Sequence, residues 1–212
     1  MDTKKLEIYI EELITERAEI FQEMEEHARA FGVPIMQLVA IETMLQTLRI
    51  QNPKTILEVG TAIGYSALRM AFALPFATIV TIERDEQRLK EAVRFIEKAE
   101  RQEQIITIEG DALAVEEQVK RYAPFDTIFL DAAKGQYRRF FEMYSPYLRD
   151  NGLIITDNVL FKGLVCEEMI DNKRLRPLVK KIREFNQWLM AHPDYDTAII
   201  PVGDGVAISK KR

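Results

Sequence analysis

Between Asp2 and Ala30 the apolar residues Leu6, Ile10, Leu13, Ile20 and Met24 fall on helical spacing among many charges, and Gly32-Val33-Pro34 ends the run. A second helix is predicted over Ile35 to Ile50, stopping before Asn52-Pro53. The rhythm then changes. The runs TILEVG, ATIVTIE, QIITIEG, FDTIFLD and GLIITD are short and rich in β-branched residues, and amphipathic stretches of helical length separate them. That alternation predicts parallel strands joined by crossover helices. A long helix from about Asn172 to Ala191 follows, after which TAIIPV and VAISKK flank Gly203-Asp204-Gly205, the signal of an antiparallel hairpin. The expected fold is α/β: a doubly wound, mostly parallel sheet with a C-terminal antiparallel hairpin strand and additional N-terminal helices.

Composition narrows the setting. With 212 residues, 47% of them hydrophobic, and no repeat or linker, the chain fits one domain over 1–212, with helices over 1–50 and a core over 53–212. A net charge of -5 marks no general affinity for nucleic acid, so any basic surface has to be local. The lone Cys166 permits no intrachain disulfide. No secretory leader is evident, and the best apolar stretch, Ala67 to Val80, is interrupted by Arg69 and Pro75. A cytoplasmic protein without a membrane span is expected.

In LEVGTAIGYSA, Gly60 and Gly64 stand between a strand and a helix, where glycine permits a sharp turn and close approach of a ligand. The spacing is G-x-x-x-G rather than the dinucleotide pattern G-x-G-x-x-G, with Ala62 at the middle position. Glu58 just before the glycines opposes a phosphate and suits a ligand bearing ammonium and sulfonium charge. Glu83, at the end of the second strand, is placed to accept hydrogen bonds from two ribose hydroxyls. The plainer alternative is a turn with an exposed charge at a strand end.

Taken together, ILEVGTAIGYSALRMA, VTIERD, IEGDAL, IFLDAAKGQY, LIITDNVL and PVGDGVAISKK resemble the class I S-adenosylmethionine (SAM)-dependent O-methyltransferases. The resemblance is to the metal-dependent group that contains catechol and caffeoyl-CoA O-methyltransferases, and it runs from Gly32 to the end. It implies a Rossmann-like methyltransferase sheet. It also implies that Glu58, Gly60 and Ser66 hold the methionine end of SAM, Glu83 the ribose, and Asp111 with Ala112 the adenine side. Met36 would add backbone contacts, and Asp131 would border the cofactor as well. Within the group the chain is most similar to the bacterial branch that methylates 5-hydroxyuridine in tRNA. Catechol enzymes carry a large aromatic residue between the aspartate and lysine of this motif, but here the two positions are Ala132 and Ala133. That departure favours a bulkier substrate.

Two strands end in polar ligands: Asp131 after IFL, and Asp157-Asn158 after LIIT. Ligands gather at the carboxyl ends of parallel strands, so the three side chains can converge. Two carboxylates and an amide oxygen form a hard donor set suited to Mg2+ or Mn2+. A substrate with adjacent oxygens could chelate such an ion, which would lower the pKa of its hydroxyl. Lys134, three residues after Asp131, is the expected proton acceptor. Each motif alone also reads as an ion pair or a turn.

5-Hydroxyuridine offers O5 beside O4, the same chelate that a catechol gives. The expected reaction is therefore methylation of 5-hydroxyuridine at the tRNA wobble position to 5-methoxyuridine, with Arg138, Arg139, Lys162 and Arg176 as phosphate contacts. A small catechol or caffeoyl-CoA-like substrate is the alternative. A noncatalytic SAM- or nucleoside-binding module is the remote one. The N-terminal apolar stripe suggests a homodimer.

Overall fold

The computed structural model describes residues 3–212, with side chains from Lys5 onward. Three helices come first: α1 (Thr3–Leu13), α2 (Glu19–Phe31) and α3 (Leu38–Gln51). Then β1 (Thr55–Val59), β2 (Thr78–Glu83), β3 (Ile105–Glu109), β4 (Phe125–Leu130) and β5 (Leu148–Thr156) alternate with α4 (Tyr65–Ala73), α5 (Glu86–Lys98), α6 (Glu116–Val119) and α7 (Tyr137–Tyr144). The chain closes with α8 (Arg176–Met190), β6 (Tyr195–Ile200) and β7 (Val206–Lys211). All seven strands form one sheet in the order β3-β2-β1-β4-β5-β7-β6. The first five run parallel, and β7 pairs antiparallel with both β5 and β6. This is the expected α/β architecture.

A parallel sheet covered on both faces has apolar side chains pointing both ways, which explains the continuous runs read from the sequence. Ile56, Ile79 and Phe129 face the layer of α2 to α5, whereas Leu57, Val80 and Ile128 face α7 and α8. The crossovers from β1 and β4 leave to opposite sides, so the carboxyl ends of β1 and β4 form a switch point with an open crevice. Helix starts are fixed locally: the Asp85 side chain accepts the Gln87 and Arg88 N–H groups at 3.0 and 3.1 Å and caps α5.

Three expected boundaries change. The helix expected from Asp2 to Ala30 is two helices, with Asp2 itself outside the described residues. The Arg17 guanidinium grips Glu25 through two 2.8 Å hydrogen bonds, and Gln22 Nε2 donates to the Arg17 carbonyl at 3.0 Å, so the chain turns over 14–18. An unbroken helix of that length would extend about 40 Å. The turn instead lets α2 bury Phe21, Met24 and Ala28 while α1 leaves Ile10 and Leu13 at the surface. The second helix begins at Leu38 rather than Ile35: Gln37 is extended, at φ -64° and ψ 148°, and residues 34–37 wall a cavity. The long helix begins at Arg176 rather than Asn172, with Pro177 in its first turn, where a missing N–H costs nothing.

Candidate active site

A cavity of about 460 Å³ opens at the carboxyl ends of β1, β2, β4 and β5. The turn after β1 forms its floor. Gly60 and Thr61 both donate backbone N–H to the Ile82 carbonyl, at 3.0 and 3.1 Å. Gly60 has φ +108°, and a Cβ there would stand 2.0 Å from the Asp131 carbonyl oxygen, so no other residue lets β1 and β4 end this close together. Ser66, in the first turn of α4, lines the cavity, and so does Met36 from the extended segment before α3.

Glu58 does not line it. Its side chain is fully buried, with Oε1 accepting from Ser66 Oγ and Oε2 from Thr81 Oγ1, each at 2.5 Å. The place assigned to it at the methionine end is therefore behind Ser66. Burial pushes its pKa up to about 7, against the opposing effect of the two hydroxyl donors. A carboxyl raised this way stabilises the fold fully below its unfolded pKa, near 4, and that contribution is lost as pH rises through about 7. Glu58→Gln should therefore gain stability over the wild type between pH 5 and pH 8, on the order of 3 kcal/mol at most. A difference in unfolding free energy that stays constant across that range would sink the assignment.

Glu83 lies at the opposite wall, and three backbone N–H groups fix its carboxylate: Ala62 at 2.8 Å, Arg84 at 2.9 Å and Asp85 at 2.9 Å. An acceptor held this rigidly, with lone pairs left over, suits a ribose diol. Asp111 and Ala112 line the same end, where the Asp111 side chain accepts the Leu113 N–H at 2.9 Å. Glu83→Ala should weaken SAM binding by about 1.5–3 kcal/mol and leave Mn2+ affinity within about twofold. Calorimetry that finds SAM affinity unchanged moves the ribose site elsewhere.

On the other side, Asp131, Asp157 and Asn158 meet. Asn158 Nδ2 bridges the two carboxylates, at 3.2 Å from Asp131 Oδ1 and 2.7 Å from Asp157 Oδ2. Burial pushes both carboxyls above the usual range, and the charge of Asp131 lifts Asp157 further. Asp157 Oδ1 is buried with no hydrogen-bond partner. Burial outweighs the nearby charge of Lys134 at these two crowded carboxylates, and a hard dication would supply further positive charge and a partner for the orphaned oxygen. Turning the Asn158 amide over would present its oxygen as a third ligand. Among the described residues no cluster of three histidine, cysteine or carboxylate side chains is assembled, so a metal centre here would depend on that amide. Lys134 is half-buried at the same wall, with Nζ 5.9 Å from the centre of the Phe161 ring.

The basic residues named as phosphate contacts are placed differently. None of Arg138, Arg139, Lys162 and Arg176 lines the cavity. Arg138 lies over Trp188 and bonds Glu142 at 2.8 Å, Arg139 bonds Gln136, Arg176 bonds the Ile170 carbonyl, and Lys162 is exposed. Sequence reasoning missed Gln37 and Asp204, cavity residues whose side chains lie 3.5 Å apart, Nε2 to Oδ1. Asp204 was legible only as part of a hairpin turn, and nothing in the sequence pairs it with Gln37.

The sheet order, with the cavity at its switch point, is the methyltransferase type of α/β fold. The chain belongs to the O-methyltransferase family, whose sequence profile matches residues 11–212, and it is SAM-dependent. It is 35% identical over 164 residues to a catechol O-methyltransferase from Niastella koreensis, covering 74% of this chain and 72% of that one. To a caffeoyl-CoA O-methyltransferase from Populus kitakamiensis it is 33% identical over 170 residues, covering 77% and 72%. The crystal structure of an O-methyltransferase from Bacillus cereus in complex with S-adenosylhomocysteine (SAH) superposes with a TM-score of 0.85, at 28% identity over 98% and 97% of the two chains. The noncatalytic alternative falls with these findings. None of the three relatives is a tRNA-modifying enzyme by name. Among the described residues no helix is long and apolar enough to cross a membrane.

Proposed function

We propose that this enzyme methylates one of two adjacent oxygens on a planar ring, with Mg2+ or Mn2+ held by Asp131, Asp157 and Asn158. The observation that carries this reading is the bridged carboxylate pair with its orphaned oxygen, facing the same cavity as Lys134. When bound, the ion would hold both substrate oxygens and lower the pKa of the hydroxyl. SAM supplies a methyl group already bonded to a good leaving group. Gly60, Ser66, Glu83, Asp111 and Ala112 orient SAM, with Glu58 acting through Ser66 and Met36 closing the side. Lys134 takes the hydroxyl proton.

The relatives' names support a catecholic ring, free or on a caffeoyl thioester. A specific observation favours a second reading, the wobble 5-hydroxyuridine of tRNA: the wall next to Lys134 is formed by Ala132 and Ala133 rather than by an aromatic ring, which leaves room for a substrate carried on a larger body. Arg138, Arg139, Lys162 and Arg176 would then meet phosphates outside the cavity, joined by Lys181, whose Nζ reaches to 3.9 Å from where a Cβ on Gly135 would stand. Mass spectrometry of tRNA nucleosides from cells lacking the protein decides between them. The tRNA reading expects 5-hydroxyuridine to accumulate and 5-methoxyuridine to vanish. Unaltered nucleosides, with efficient turnover of a catechol or a caffeoyl thioester, leave the small-molecule reading standing. A homodimer belongs to either reading, supported by the surface-exposed Ile8, Tyr9, Ile10 and Leu13 on α1, and light scattering that returns the mass of one chain rules it out.

A further inference from the structure

Asn158 sits in the left-handed region at φ +61°, a conformation asparagine tolerates but surrounding contacts must maintain. Those contacts fall on the backbone of the residues to either side, Asp157 and Val159. The Asp157 N–H donates to the Leu130 carbonyl at 3.1 Å, and the Asp157 carbonyl accepts from the buried Tyr137 hydroxyl at 2.8 Å. The Val159 N–H donates to the Gly205 carbonyl at 3.0 Å, and the Val159 carbonyl accepts from Asn186 Nδ2 at 2.7 Å. Gly205 makes that approach feasible: it has φ +87°, and a Cβ there would lie 2.3 Å from Leu160 Cγ. Helices α7 and α8 thus each send one donor to one of the two carbonyls that bracket Asn158. The Asn186 oxygen is buried without a partner, so the amide is committed to a single bond, and turning it over would set two oxygens against each other.

We propose that Tyr137 and Asn186 are positioning residues that fix Asp157 and Val159, the residues on either side of Asn158, and thereby set the affinity of the Asp131, Asp157 and Asn158 centre for a divalent cation. The inference rests on the cation reading above and extends it to two residues that do not line the cavity. A small cation demands near-ideal ligand geometry, and groups that orient ligands from behind typically change metal affinity by about 10–100-fold. The segment has a separate tether further on, where Arg183 donates to the carbonyls of Leu164, Val165 and Glu167, so losing either donor leaves it docked on α8.

Two variants of near-native shape test this: Tyr137→Phe deletes only a hydroxyl, and Asn186→Leu replaces an amide whose oxygen is already unpartnered. Mn2+ binding to the full chain is read by electron paramagnetic resonance, and SAH binding by calorimetry. Each variant should bind Mn2+ about 10–100-fold more weakly while holding SAH within about twofold of wild type, and raised Mn2+ should restore kcat. Wild-type Mn2+ affinity in both variants overturns the proposal, as does a parallel loss of SAH binding, which would signify general loosening. Failure of the wild type itself to bind Mn2+ overturns the cation reading and this inference together, and no variant is needed to recognise it.

Discussion

Asp157→Ala should lower kcat/KM for methyl transfer by about 10²–10⁴-fold while SAH affinity stays within about twofold. The size follows from removing one of the two carboxylates proposed to hold a cation, which would contribute several kcal/mol to the stabilisation of an oxyanion, with each 1.4 kcal/mol worth tenfold. The selectivity follows from position: Asp157 is 3% exposed, bonds to Asn158, and lies across the cavity from Glu83 and Asp111. Folding should not suffer, because the lost carboxylate has a buried oxygen with no partner and is repelled by Asp131. Chelator treatment of the wild type should reproduce the loss, and Mg2+ or Mn2+ should reverse it. Full activity in chelator-treated protein would remove the cation from the reaction. Equal losses of turnover and SAH binding in the variant would instead indicate collapse of the crevice.

The parts of this architecture that sequence made legible are those governed by local pattern. Strands buried on both faces are largely apolar, so TILEVG, ATIVTIE and FDTIFLD are readable as parallel strands, and the polar residues ending them fall where ligands collect. Asp131, Lys134, Asp157 and Asn158 accordingly line one cavity. What pattern could not show is set by partners distant in the chain. Glu58 reads as a strand-end charge, yet its burial depends on Thr81 in β2 and Ser66 in α4. The break between α1 and α2 depends on Arg17 closing on Glu25. Gln37 and Asp204 are 167 residues apart and meet only because the β6–β7 hairpin folds back beside the start of α3. Arg138 is only four residues from Lys134 in the chain, but α7 carries it onto Trp188 and Glu142, away from the cavity.

Lys134 offers a sharper test, because its charge and its capacity to accept a proton can be separated. It follows Asp131 in a short 3-10 turn, Lys134–Gln136, and its positive charge offsets the crowding of Asp131 and Asp157. Lys134→Met should lower kcat by about 10²–10⁴-fold, the usual contribution of a positioned acid or base, with a smaller change in KM. If Lys134 acted only as a positive charge beside the carboxylates, Lys134→Arg would restore most of the rate. A guanidinium keeps the charge but cannot give up its proton near neutral pH, so a residue that accepts the substrate proton is not replaced by it. Lys134→Arg is therefore expected to be nearly as slow as Lys134→Met at pH 7, and both should recover part of the lost rate as pH rises and hydroxide takes over the deprotonation. Arginine restoring the wild-type rate at pH 7 would assign Lys134 an electrostatic role and require another base.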